Sequence, residues 1–280
     1  MKIRAPFRYW GSKVRMAPWI IDRLPPHDHF VEACAGSAAV MAVKEPVMAE
    51  TVNDTYGEVV NFFKVIREPA TCAELIDLVA ATPYSLTEFQ DAGLVMEDYL
   101  TPSDDTYTEP NVWRAWAFFV RMQMAVVPGR SGWSYGVRGP SAKKANKPGR
   151  WSTMPELLQL AGERFSRVQV SSWDVADLID RLDVPGTLFL CDVPYTNESR
   201  PLSTGASSGY VKDSFDHEAF LAAVHGAKHA TFAITHYPDP LYDAQGFDVA
   251  GDYESHRNIP NGEGRDVKVE RLYIAGGNRG

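Results

Sequence analysis

Asp192-Val193-Pro194-Tyr195 follows directly on the apolar run Thr187–Cys191. An acid at the end of a buried strand, backed by a rigid proline and a ring, packs poorly but grips an amine well. The Asp192 carboxylate and the Val193 carbonyl can both accept hydrogen bonds from an exocyclic NH2, while Tyr195 stacks on the ring that carries it. A plain strand-ending turn with Asp as cap is the bland alternative. A second group, Glu32-Ala33-Cys34-Ala35-Gly36-Ser37-Ala38, places small residues between a strand and a helix, where backbone N–H groups can approach a ligand. Many α/β proteins have such a turn for packing alone. Asp54 comes 18 residues after Gly36, at the end of the next apolar segment. A carboxylate at that spacing can accept hydrogen bonds from ribose hydroxyls, or else cap the helix that begins near Tyr56.

These side chains can act together only if strands end where they stand. The sequence predicts a strand at His29–Cys34, a helix from the small-residue turn to about Lys44, and a strand at Val47–Val52. Apolar residues at 59, 60, 62, 63 and 66 predict a helix over Gly57–Arg67. Helical patterns continue to about Ala81, then over Thr87–Leu100 and Asn111–Val126, where Trp113, Trp116, Phe118 and Phe119 read as core. Periodicity stops over 128–150, which reads as a long functional loop or irregular hairpin. Beyond it come a helix at Pro155–Phe165, a strand at Val168–Val170, a helix at Val175–Leu182 and the strand Thr187–Cys191. A loop over 196–215 precedes a helix capped by Asp216 and running to about Ala227, then strands at His229–Thr235, Phe247–Ala250 and Val267–Ile274. This alternation predicts an α/β sheet interrupted by a mostly helical insert of about 70–165. Ligands are expected at the C-terminal strand ends.

Length and composition narrow the field. The 280 residues are 45% hydrophobic and 23% charged, which excludes collagen-like, disordered and disulfide-scaffold chains. There is no run of eighteen apolar residues, so no membrane span is expected, and the basic N-terminus lacks a signal peptide's apolar stretch. Cys34, Cys72 and Cys191 are odd in number and widely spaced, which suits a reducing cytoplasm. The seven histidines show no metal-ligand spacing, so they read as surface or strand-end residues and no metal is expected. The net charge of −8 alone argues against nucleic acid, but its distribution does not. Arg121, Arg130, Arg138, Lys143, Lys144, Lys147 and Arg150 stand together with no acid between them, leaving −15 for the rest. Trp133, Tyr135 and Trp151 are interleaved. A charge run is often only a solvated face, but cations that meet phosphates beside rings that stack on bases suit a loop touching DNA or RNA.

In motif order, nearly the whole chain resembles the Dam-type DNA adenine-N6 methyltransferases, particularly phage and restriction-system members. Phe7-Arg8-Tyr9-Trp10-Gly11-Ser12-Lys13 looks like the family's N-terminal motif, and Glu32–Val40 like its cofactor turn. Val52-Asn53-Asp54 resembles its ribose site, Ser172-Trp173-Asp174-Val175 the segment meeting the cofactor's adenine, and Asp192–Tyr195 its DPPY motif. Asp216-His217, Thr235-His236-Tyr237 and Val269-Glu270-Arg271-Leu272 match weaker landmarks.

The resemblance implies a Rossmann-like sheet that binds S-adenosylmethionine through Tyr9, Trp10, Lys13, Glu32, Cys34, Ala35, Gly36, Ser37, Asp54, Asp174 and Val175. Residues 1–69 and 166–280 would form the catalytic domain, and 70–165 the target-recognition insert with its basic loop 128–150. Double-stranded DNA is the implied substrate, its target adenine flipped out and held by Asp192, Val193, Pro194 and Tyr195. The implied setting is the cytoplasm of a bacterial or phage-infected cell. A cognate restriction endonuclease and the oligomeric state stay open. The family usually has phenylalanine at Cys34, glycine at Ala38 and proline at Val193. With those departures, cytosine-N4 transfer, a modified cofactor and a non-catalytic DNA-binding relative stay open beside adenine methylation, as does action on protein or RNA.

Overall fold

The computed structural model describes residue 3 and residues 5–98, 109–129, 132–136, 146–196, 215–258 and 265–276. Among them, seven strands form one mixed sheet: β1 (His29–Glu32), β2 (Ala49–Asn53), β3 (Gln169–Ser171), β4 (Thr187–Cys191), β5 (Thr231–His236), β6 (Asp248–Asn258) and β7 (Arg265–Gly276). Their order is β3-β2-β1-β4-β5-β7-β6. The helices are α1 (Ala17–Ile21), α2 (Ala39–Val43), α3 (Gly57–Arg67), α4 (Pro69–Ala81), α5 (Leu86–Asp98), α6 (Val112–Met124), α7 (Lys147–Trp151), α8 (Met154–Phe165), α9 (Val175–Leu182), α10 (His217–Gly226) and α11 (Pro240–Asp243). The α/β, Rossmann-like expectation is met. No helix among the described residues is long and apolar enough to cross a membrane.

The chain forms two compact units. One comprises Arg15–Ala35, Lys44–Asn53 and Trp173–Gly280. Here β1 pairs in parallel with β2 and β4, and β4 with β5, while β7 runs antiparallel to β5 and β6. Strand β4 is buried along its whole length, as an unbroken apolar run between parallel neighbours must be. Chain order reverses between β1 and β4, and at that reversal an open α/β sheet has its ligand crevice. Register sets Glu32, the last residue of β1, opposite Leu190, so β4 runs one residue further. Beneath those ends, Val31, Phe189, Phe232 and Ile234 pack with Leu178 and Ile179 of α9 and Phe220 of α10. Each such side chain contributes roughly 1.5–3 kcal/mol when buried.

The other unit comprises Met1–Val14, Gly36–Val43 and Asp54–Ser172. Its core is aromatic: Phe7 meets Phe62 at 4.8 Å and Phe118 at 5.0 Å, both edge to face. Asn111 caps α6 by accepting the Arg114 N–H, and within the helices Glu58 pairs with Arg114 in a buried ion pair. Trp116, Phe118 and Phe119 are core as expected, but Trp113 is 55% exposed. It stands in the first turn of α6 and rests its ring edge-on against Trp116 instead of entering the core.

Candidate active site

The tips of β1, β2, β4 and β5 carry one cluster, all within the same unit. Where β1 ends, the Ala33 N–H donates to the Leu190 carbonyl (3.0 Å) and the Ala35 N–H to the Asn53 carbonyl (2.9 Å). Asn53 is buried, donating through Nδ2 to the carbonyls of Ala33 and Trp173 and accepting the Trp173 N–H through Oδ1. Its amide therefore locks the exit of β1 to the segment before α9. Asp174 caps that helix through the Ala176 N–H, and Val175 enters the core. Glu32 is buried, and Cys34 packs half-buried on the core.

At the end of β4, Thr235 Oγ1 donates to Asp192 Oδ1 at 2.9 Å, which fixes how the carboxylate is turned. The Val193 side chain is 1% exposed and belongs to the core beneath. Valine thus replaces the rigidity of the family's proline with packing. Tyr195 donates its hydroxyl to Glu270 Oε2 at 2.8 Å. Burial, together with the Asp192 and Glu270 carboxylates, holds this phenol well above its ordinary pKa, so it is a neutral donor. Its ring lies 4.2 Å from Tyr237 and edge-on to His236 at 5.1 Å. His236 closes β5, a strand-end position as expected of the histidines, and is fully buried there. Its Nε2 accepts the Thr196 N–H, so the proton sits on Nδ1, donated to the Tyr237 carbonyl.

In the other unit, Gly36 adopts φ +48 with the Tyr9 ring directly against it. A Cβ at this position would lie 2.7 Å from Tyr9 Cδ1, so the turn admits glycine alone. The Gly36 N–H donates to Asp54 Oδ2 (2.8 Å) and the Tyr56 N–H to Oδ1 (2.9 Å). Burial nonetheless raises the Asp54 pKa against the pull of these two donors. A carboxylate has about four lone-pair sites, so acceptor capacity remains. Ser12 and Ser37 share a hydrogen bond, and buried Lys13 donates to the Gly11 carbonyl. Trp10 meets Tyr9 edge-on and lies against Gly129, where an added Cβ would come 2.5 Å from the indole and φ is +67.

The basic stretch is partly in view. Ala125 and Trp133 form an isolated antiparallel bridge, and Tyr135 is 62% exposed beside Trp133. Lys147 and Arg150 stand on α7, a helix that sequence periodicity did not reveal. Burial and the charges of Arg8 and Arg150 lower the Lys147 pKa, which marks a crowd of cations. Arg121 lies over the Phe89 ring at 4.0 Å and ties α6 to α5. Arg130, Arg138, Lys143 and Lys144, and most of the expected loop 196–215, fall outside the described residues. Sequence reasoning gave no chemical role to Thr235, His236 or Glu270. The signal was present in polar residues closing the apolar strand β5 and facing it from β7.

No curated protein matches the chain. Among solved structures, SMU.472, named as a methyltransferase and solved in complex with SAH, aligns over 100% of this chain and 82% of its own. It does so at 11% identity with a TM-score of 0.24, too low for the likeness to carry an argument. The family model is decisive, because it matches residues 9–234 and most of the motif positions above. The chain belongs to the D12 class of N6 adenine-specific DNA methyltransferases.

Proposed function

We propose that Asp192 and the Val193 carbonyl hold the N6 amine of a flipped adenine while Tyr195 stacks on its ring. The family fixes the reaction class, methylation of adenine N6 in DNA from S-adenosylmethionine, which sets aside the cytosine-N4 alternative. The observation that carries the residue assignment is the Thr235–Asp192 hydrogen bond at the tip of β4, three residues before the anchored phenol. A carboxylate fixed in rotation beside a fixed ring is preorganised for one planar heteroaromatic amine. Accepting N6–H bonds, it keeps the nitrogen lone pair directed out of the hydrogen-bonding plane. When bound, S-adenosylmethionine supplies an electrophilic methyl group on sulfonium. The groups around Gly36 suit such a molecule, with a turn stripped of side chains, an aromatic ring on it and a carboxylate with spare acceptor sites for ribose hydroxyls. Within the unit that carries the Gly36 turn, Tyr9, Trp10, Lys13, Gly36, Ser37 and Asp54 are the residues that would contact it. Orientation then supplies most of the rate, with no covalent intermediate on the enzyme.

Residues 70–165 would read the duplex, and 1–69 with 166–280 perform the transfer. Cytoplasmic DNA is the proposed location of the target, and a restriction endonuclease reading the same site the proposed partner. The test is transfer of labelled methyl to unmethylated duplex DNA of mixed sequence. Asp192→Ala is expected to reduce it at least a hundredfold, on the order of the loss of an orienting group, with cofactor binding and melting temperature kept. Turnover equal to the parent enzyme would sink the assignment.

A further inference from the structure

Stacking alone asks for a ring, and phenylalanine would serve. Tyr195 nevertheless spends its hydroxyl on a carboxylate three strands of sequence away, Glu270 of β7. Two residues earlier on β7, and so on the same face, Lys268 donates through Nζ to the Tyr237 hydroxyl at 3.3 Å and lies 5.4 Å from that ring. Tyr237 in turn packs against Tyr195. Alternate residues of one strand therefore clasp two adjoining rings by their hydroxyls. The backbone beyond Tyr195 is tied as well, with the Thr196 N–H on buried His236 and the Thr196 hydroxyl on Asp239.

We infer that Glu270 is a positioning residue for methyl transfer, setting the tilt of the Tyr195 ring, with Lys268 bracing it through Tyr237. The inference rests on the stacking role proposed for Tyr195. Hydrogen bonds to ionised acceptors are roughly twice as strong as neutral ones. Rotation about the Tyr195 side-chain bonds is thus stopped at its far end. A tilted platform would still attract a flipped base but would hold its amine off line. The loss should therefore appear in kcat and leave cofactor affinity and DNA KM little changed.

The experiment measures steady-state transfer to unmethylated mixed-sequence duplex DNA, together with cofactor binding by calorimetry. Glu270→Ala and Tyr195→Phe are each expected to lower kcat about ten- to a hundredfold, the range for small misplacements of reacting groups. KM and cofactor Kd should stay within about threefold, a tolerance small beside that loss. Glu270→Gln, which keeps an acceptor oxygen, should restore most of the rate. The Tyr195→Phe/Glu270→Ala double variant should be no slower than either single one. Additive losses, or full kcat in Tyr195→Phe, would overturn the positioning role. If Tyr195→Ala also turns over normally, the stacking reading fails with it. If Tyr195→Ala is dead while Tyr195→Phe and Glu270→Ala are fully active, stacking stands and only the anchor is refuted.

Discussion

Ala38 holds a backbone conformation that its side chain resists. It has φ +46, alone among the described non-glycine residues, at the position where the family usually has glycine. A left-handed conformation costs an L-residue roughly 1–2 kcal/mol. Against that, the Ala38 methyl is fully buried, which contributes about 0.8 kcal/mol. Glycine would also add roughly 0.5–1 kcal/mol of chain entropy to the unfolded state. The opposing terms nearly cancel. Ala38→Gly should therefore leave stability within about 0.5 kcal/mol of the parent, like an unstrained surface change. Ala39 is also buried but lies inside α2, so Ala39→Gly relieves no strain and should lose about 1.5–2 kcal/mol. Urea midpoints of the two variants provide the comparison. Equal losses would mean that residue 38 carries no strain.

Elements were legible in the sequence wherever burial alone dictates them. Helices α3 and α9 and strand β4 have the bounds that their apolar patterns give, because each presents a continuous stripe or run to the core. Strand β6 extends to Asn258, well past the short apolar stretch at its start. Its polar remainder is held by pairing with β7, and pairing leaves no mark on hydrophobicity. Helix α7 contains Pro148 and Gly149 and survives on the Asn146 cap and the burial of Trp151. The candidate active-site cluster divides in the same way. Asp192 and Tyr195 were legible because they end an apolar run, whereas Thr235 and Glu270 became partners only through register across strands. Asp183 is a similar long-range tie. Just beyond α9, its carboxylate accepts the backbone N–H groups of Lys228, His229 and Ala230, where the chain enters β5. Those donors outweigh desolvation and lower its pKa below 3.8. A depressed carboxylate stabilises the fold above its unfolded pKa and loses that contribution as pH falls through the folded value. Asp183→Ala should cost about 1–2 kcal/mol at pH 7, discounted for partial exposure. The difference from the parent should shrink below about pH 4, where the carboxylate takes up its proton. A difference independent of pH would mean that packing, not charge, is what Asp183 provides.

Across the whole molecule, a net charge of −8 must approach a polyanion. In the proposed reading, the acidic remainder would discourage indiscriminate binding, while the seven cations between Arg121 and Trp151 would give the approach a direction. Arg8 is not available for this task in the same way, because its guanidinium donates to the carbonyls of Gln123, Ala125 and Val126. Lys147 and Arg150 remain as cations on α7, and their mutual repulsion is what a phosphate would relieve. Removing one of them should not weaken the free fold, so lost DNA binding can be separated from unfolding. Each phosphate neutralised contributes about −0.9 to the slope of log K against log salt. Lys147→Gln/Arg150→Gln should therefore flatten that slope by roughly 1–2 and weaken binding most at low salt. Melting temperature should hold, and so should kcat at saturating DNA, because the reacting groups are untouched. Fluorescence titrations of duplex DNA from 50 to 200 mM salt, roughly the range where such slopes are read, give the comparison. If the slope is unaltered, those two cations do not meet phosphate, and the positive field of the insert works only by steering.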